Sequence, residues 1–98
     1  MDASTHRETT VTLRGNLDEV ARIEIARTFA DLERCEAVVI DLTEAETVDS
    51  SLLSELVSLK RRCVVRERPP RIELRCNRRL ARLMQVAGID GLFEVHAP

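Results

Sequence analysis

The 98-residue sequence contains almost no aromatic side chains: Phe29 and Phe93 are present, but there is no tryptophan or tyrosine. Proteins that hold single-stranded nucleic acid without sequence preference stack its bases on aromatic side chains, so we do not expect such a site here. Hydrophobic residues make up 44% of the chain. The core must therefore be built from leucine, isoleucine, valine and alanine.

Cysteine is also scarce, with only Cys35, Cys63 and Cys76. The number is odd and no two of them form a C-x-x-C pair, which argues against a disulfide framework and against a zinc site. The two histidines, His6 and His96, have no recognisable metal-ligand partner nearby in the sequence. We therefore expect reduced thiols, no metal and no cofactor.

Long apolar runs are absent as well. No run approaches the roughly 18 residues of a membrane-spanning helix, and Met1 is not followed by the charged and apolar segments of a secretory signal. We therefore expect a cytoplasmic protein with no direct membrane insertion. Because no Walker loop, G-x-S-x-G motif or Cys–His pairing is found, we do not expect an enzyme.

The length suits one domain, which we expect over residues 1–98 with a disordered tail at residues 1–7. The net charge of −2 conceals an asymmetry. Residues 1–49 carry twelve acids against five bases, whereas residues 61–82 carry nine arginines against two acids. This split is compatible with a bipolar docking surface, but solvated outer helix faces explain it more simply. Without aromatic residues or a DNA-binding motif, no nucleic-acid partner is expected.

Hydrophobic periodicity predicts the elements of the first half. Residues 9–14 alternate as in a half-buried strand, and Gly15-Asn16 ends it. Asp18 suits the N-cap of a following helix. Its apolar stripe is expected to comprise residues at helical spacing, namely Val20, Ile23, Ala26, Phe29 and Ala30. The short apolar run at residues 37–40 is typical of a strand buried on both faces, and a polar loop is expected at residues 43–47.

The second half continues the alternation of helix and strand. An amphipathic helix follows Asp49 and stops no later than Pro69-Pro70. Residues 71–76 alternate like a strand, and Asn77 and Gly88 suit the N-cap and the C′ position of a last regular helix. Residues 92–95 form either a short helix or a final strand. The order predicts an α/β fold, with a mostly parallel central sheet of about four to five strands covered by about four helices.

The most informative segment is Val48-Asp49-Ser50-Ser51, where a helix is predicted to begin. The first amides of a helix lack internal partners and carry partial positive charge, so a serine there is well placed to hold a phosphate. Asp and Ser are also among the best N-caps. From the residues alone, a plain cap is the simpler interpretation.

The segment resembles the STAS family, which includes anti-sigma-factor antagonists. Gly15-Asn16-Leu17-Asp18 is similar to the family's turn before its first helix, and Val39-Ile40-Asp41-Leu42 is similar to its central strand. Asp49-Ser50-Ser51 matches its Asp-Ser-Ser motif, and residues 77–93 resemble its closing helix and final turn. The resemblance covers nearly the whole chain.

In antagonist members the serine after this aspartate is phosphorylated by the partner, an anti-sigma factor that is itself a serine kinase. The resemblance therefore implies Ser50, and less readily Ser51, as the phosphorylation site. The unphosphorylated form would bind the anti-sigma factor and the phosphorylated form would release it. The implied partner-binding surface consists of Asp18, Asp41, Thr47, Val48, Asp49, Ser50, Ser51, Leu52 and Leu53.

One residue departs from the family pattern. Leu52 stands where the family has glycine, and we expect it either to narrow the approach of a partner to the helix start or to add an apolar contact. This departure makes an alternative more attractive. Some STAS domains are accessory subunits of membrane transporters, including lipid-trafficking ABC systems, and dock without phosphorylation. Asp41 is expected to organise the loop at the end of its strand, and Asp49 to cap the helix.

Overall fold

This computed structural model describes residues 8–98, so the tail predicted at residues 1–7 lies outside the described residues. The described part contains six strands: β1 (Glu8–Thr12), β2 (Gly15–Leu17), β3 (Ala37–Leu42), β4 (Ala45–Val48), β5 (Arg71–Cys76) and β6 (Glu94–His96). The central sheet has the order β1-β3-β5-β6 and all its strands are parallel. β2 and β4 form a separate parallel pair.

Three α-helices connect the strands: α1 (Arg22–Leu32), α2 (Ser50–Val64) and α3 (Arg78–Val86). Short 3₁₀ helices at Glu19–Ala21 and Asp90–Leu92 precede α1 and β6. The predicted α/β class with a parallel central sheet is confirmed, with four strands in that sheet and three regular helices. The segment at residues 92–95 ends the second 3₁₀ helix and enters a strand.

All three helices lie on one face of the central sheet. Each connection between neighbouring strands of that sheet moves in the same direction across it, and right-handed crossovers then place every helix on the same side. The burial pattern of β5 agrees, because Ile72 and Leu74 are buried whereas Arg71 and Arg75 on the opposite face are exposed. The carboxyl ends of β1 and β3 lead into the β2–β4 pair.

The core between helices and sheet is mainly aliphatic, as the shortage of aromatic residues predicts, and Cys63, Cys76 and Met84 are also buried in it. Phe29 is the largest fully buried side chain, and Phe93 lies at the edge of the core. β3 is buried at its centre, where even Val39, on the face away from the helices, is only 7% exposed, whereas Ala37 and Asp41 are half-buried. The interpretation of this strand as buried on both faces is therefore correct for its central residues.

The predicted apolar stripe of the first helix is partly wrong. Val20 and Ile23 are 91% and 72% exposed, and the buried residues are Ile25, Phe29 and Leu32. The chain begins this region as a 3₁₀ turn, which has three residues per turn, and becomes α-helical only at Arg22. A constant α-helical period drawn from Val20 therefore selects the wrong face.

The predicted polar loop at residues 43–47 is also partly wrong, since Ala45–Val48 is the strand β4. It pairs with β2, in the segment where Gly15-Asn16 was expected to end a strand, and the register shifts between those two residues. Gly15 has φ +73°, a left-handed conformation that favours glycine. Each strand of this pair is too short for alternation to reveal it.

Candidate functional site

Helix α2 begins at Ser50, and Asp49 caps it. The backbone of Asp49 is extended, and its carboxylate accepts a hydrogen bond from the backbone N–H of Ser51 at 2.8 Å. This is the geometry of an N-cap, in which a side-chain oxygen satisfies one of the free amides of the first turn. The side chain of Ser50 is exposed. A hydroxyl therefore lies on the surface where the amides of α2 are free.

The neighbouring serine has a different environment. Ser51 is only 4% exposed, and its hydroxyl donates a hydrogen bond to Oε2 of Glu19 at 2.5 Å. Glu19 belongs to the 3₁₀ turn before α1, so this contact joins residues 32 positions apart. Ser51 is consequently a structural residue, whereas Ser50 offers its hydroxyl to solvent.

Leu52, the residue that departs from the family pattern, lies in the core and not on the surface. Leu52 is completely buried and belongs to the hydrophobic core. The expectation that its side chain would narrow the approach of a partner, or contact that partner, is therefore wrong. Leu53 is half-buried and packs against the core from the surface. At the start of α2, Asp49 is half-buried and Ser50 is exposed.

Ion pairs fix the start of α1 against α2. The guanidinium of Arg22 donates from Nε to Oε2 of Glu55 at 3.0 Å, and its Nη1 lies 3.6 Å from Oε2 of Glu19. The hydrogen bond to Glu55 is the largest of the effects that raise the pKa of Arg22. Asp18 caps the 3₁₀ turn by accepting from the backbone N–H groups of Val20 and Ala21 at 3.1 and 3.4 Å. Glu19, an exposed residue of this turn, therefore lies close to the start of α2.

Asp41 organises the turn after β3. Its carboxylate accepts from the backbone N–H of Thr43 at 2.9 Å and from the hydroxyl of Thr43 at 2.6 Å. These two hydrogen bonds are the largest causes that lower the pKa of Asp41. The turn leads into β4, where Thr47 is exposed and Val48 is half-buried immediately before the cap. Asp41 and Asp49 therefore each serve local backbone groups.

A second cluster of polar side chains lies on the sheet face away from the helices. Ligand atoms of Glu73, Glu94 and His96 lie within 4.8 Å of one another, a grouping that sequence inspection around His96 did not reveal because it depends on the β5–β6 register. Arg75 donates to Glu73 at 3.0 Å and Arg71 to Glu94 at 3.2 Å. The contact with Arg71 lowers the pKa of Glu94. Both carboxylates are thus compensated by arginines.

The two buried cysteines, Cys63 and Cys76, offer no reactive centre. None of the three cysteines, all within the described part, forms a disulfide, and Cys63 and Cys76 are buried. Burial raises the pKa of the Cys76 thiol to about 11, and it also raises the pKa of Cys63. Both thiols are therefore protonated and poorly nucleophilic near neutral pH.

These observations define a small α/β module with an exposed hydroxyl at a capped helix start. The chain matches a family model described as "Mlab, STAS domain" over residues 1–94 and belongs to the STAS domain family. STAS domains are non-enzymatic binding modules that mediate protein–protein interactions. A search of curated proteins found no match. Within residues 8–98, no helix has the length and apolar character required to cross a membrane.

Proposed function

We propose that this chain is an anti-sigma-factor antagonist: it binds an anti-sigma factor with serine kinase activity and is released when Ser50 is phosphorylated. The observation that carries the proposal is the difference between the two serines at the start of α2. The hydroxyl of Ser50 is exposed, whereas that of Ser51 is buried and bonded to Glu19. A kinase can reach the first without unfolding the helix start.

A phosphate on Ser50 is compatible with the folded domain. The free amides and the dipole at the start of α2 favour an anion there. A phosphoserine carries a charge of about −1.5 to −2 at neutral pH. Because Asp49 and Glu19 are already close to this helix start, the added charge changes the potential that a partner meets. The modification would therefore act on the interface and leave the fold intact.

Two exposed apolar side chains at the beginning of the α1 region supply contact area for a partner. Val20 and Ile23 are 91% and 72% exposed, and Val20 directly follows Glu19, the residue that contacts Ser51. Exposed aliphatic side chains within a charged rim are characteristic of protein interfaces. We expect the partner to cover this pair together with Asp49 and Ser50. The phosphate would then be introduced at a covered position, where desolvation makes it costly.

The second candidate is an accessory subunit of a membrane transporter, which docks without a phosphorylation cycle. The description of the matching family model, "Mlab, STAS domain", favours the accessory subunit over the switch, because it does not name an anti-sigma-factor antagonist. In this case the same surface would bind its partner constitutively. Ser50 would then act only as a surface residue of the helix start.

Affinity capture with charge variants separates the two candidates. The full chain, Ser50→Ala and Ser50→Asp would be used as baits in extracts of the source cells, with Ser54→Asp as the matched control. Ser54 is also exposed on α2, one turn further along. The switch predicts that one partner is retained by the full chain, by Ser50→Ala and by the control, but lost from Ser50→Asp. That partner, supplied with ATP, should phosphorylate Ser50.

The other outcomes favour the second candidate or neither. Equal retention of a transporter ATPase or permease by all four baits would support the accessory subunit and contradict the switch. A retained kinase that modifies Ser51, or no residue of this chain, would contradict the proposed role of Ser50.

A further inference from the structure

A groove with a volume of about 540 Å³ lies between β4 and α3. Its base includes Ala45 and Leu80, which are 6% and 3% exposed. Side-chain hydrogen bonds hold its two walls together. Asn77 donates to the carbonyl oxygen of Ala45 at 3.1 Å, and Arg79 donates to the carbonyl oxygen of Glu46 at 3.2 Å. The groove is therefore formed before any ligand is bound.

The wall contributed by α3 is half cationic and half apolar. Arg79, Arg82, Leu83 and Val86 line the groove and follow the i, i+3, i+4, i+7 spacing of one helix face. Leu83 and Val86 are 36% and 77% exposed, although they are large apolar side chains. The core-facing residues of α3 are Leu80 and Met84. Within the described chain, Leu83 and Val86 are thus left exposed on this face, whereas Arg79 bonds to the Glu46 carbonyl.

The charge of the groove has one dominant sign. Two arginines of α3, Arg79 and Arg82, line the groove, and α3 contains no acidic residue. Among the described residues that line the groove, Glu46 is the only acidic one. A ligand that is apolar on one side and negatively charged beside it would satisfy both halves of this wall.

We infer that this groove binds an amphipathic helix of a partner protein, with acidic residues beside its leucine or isoleucine side chains. The face from Arg79 to Val86 extends over about two helical turns, roughly 10 Å at 1.5 Å per residue. Helices that dock in grooves use anchors at the same i, i+3, i+4, i+7 spacing. The inference rests on the proposed function in taking the partner to be a protein, but it does not require phosphorylation of Ser50.

Two synthetic peptides of about 20 residues, longer than the roughly 12–15 residues below which isolated helices are marginal, provide the probe. Both carry leucines at i, i+3, i+4 and i+7; one has glutamates beside them and the other lysines. Each is titrated into the isotope-labelled full chain and followed by amide chemical shifts. The glutamate peptide should shift the amides of Val48, Leu83 and Val86 and bind about tenfold more tightly than the lysine peptide.

Surface variants identify the contacts. Arg82→Glu should weaken binding of the glutamate peptide about tenfold and reverse the preference between the peptides, and Val86→Ser should weaken both. Arg61→Glu is the matched control, because Arg61 is an exposed arginine on α2 that does not line the groove. Its affinity for both peptides should equal that of the unmodified chain.

Several results would overturn the inference: equal affinity for the two peptides, shifts confined to other surfaces, or no effect of Arg82→Glu. Self-association that Val86→Ser abolishes would instead assign the groove to a second copy. Tighter binding of decanoate than of the glutamate peptide at the same amides would assign it to a small anionic amphiphile. Because the titrations use unphosphorylated chain, failure of the Ser50 switch would leave a positive peptide result standing.

Discussion

Replacing Leu52 with the glycine typical of the family should severely destabilise this protein. Leu52 is completely buried in the core at the third position of α2. Truncation of a buried leucine to alanine costs about 2–5 kcal/mol, because transfer free energy is lost and a cavity remains. Glycine in place of alanine costs up to about 1 kcal/mol more in a helix. We therefore expect a loss of about 3–6 kcal/mol for Leu52→Gly, and about 2–5 kcal/mol for Leu52→Ala.

Such losses are large against the roughly 5–15 kcal/mol by which a domain is stable. Urea unfolding followed by circular dichroism measures these losses, provided that the slope of the unfolding free energy against urea concentration is the same in each variant. Leu83→Ala is the control, because Leu83 is 36% exposed on α3, and it should cost less than about 1 kcal/mol. If Leu52→Ala costs no more than this control, Leu52 is not the core residue described above, and its role at the surface must be reconsidered.

The other predictions concern the helix starts and the buried thiols. Ser50→Asp should change stability by less than about 1 kcal/mol, whereas Ser51→Asp should cost about 2 kcal/mol or more, because it buries a carboxylate beside Glu19. Thermal unfolding compares the two variants. Equal losses would refute the statement that Ser50 is exposed and Ser51 is buried. Burial raises the pKa of Cys76 from 9.0 to about 11, so folding favours its protonated form. The contribution of this thiol to the free energy of unfolding should therefore be constant below pH 9 and should fall by about 2–3 kcal/mol as the pH rises to 11. Urea unfolding below pH 9 and at pH 11 should show a smaller fall in the free energy of unfolding for Cys76→Val than for the unmodified chain. An equal fall would show that the Cys76 thiol is not its cause. Asn77→Ala should lose about 1–2 kcal/mol, because it removes both the cap on the Leu80 amide and the bond to the Ala45 carbonyl. Asn77→Ser keeps a cap acceptor without placing a carboxylate against the Ala45 carbonyl, and should lose less by the same measurement; a loss equal to that of alanine would contradict the capping role.

The parts of the fold that could be predicted are those encoded locally. The apolar run of β3 and the Asp49 cap of α2 lie within a few neighbouring residues, so burial and capping preferences suffice to identify them. The Asn77 cap of α3 and the left-handed Gly88 at its other end, with φ +75°, are likewise local. These signals place the helix that carries Ser50.

The remaining features depend on contacts between distant residues. The pairing of β2 with β4 brings together segments some 30 residues apart, and neither is long enough to show a strand period. Burial of Ser51 depends on Glu19, which a 3₁₀ turn positions. Both serines are good helix starters, so propensity alone does not distinguish the exposed hydroxyl from the buried one. The same holds for Leu52, since an amphipathic pattern does not show which face of the first turn is covered.

We propose that phosphorylation of one exposed hydroxyl, that of Ser50 at the start of α2, governs docking. This proposal is tested most directly by incubating the complex of this chain and its captured kinase with ATP. Phosphate per chain at each serine and the fraction of complex remaining are measured together over time. Phosphate should accumulate on Ser50, and the complex should dissociate in proportion. A complex that persists with Ser50 fully phosphorylated would contradict the proposal.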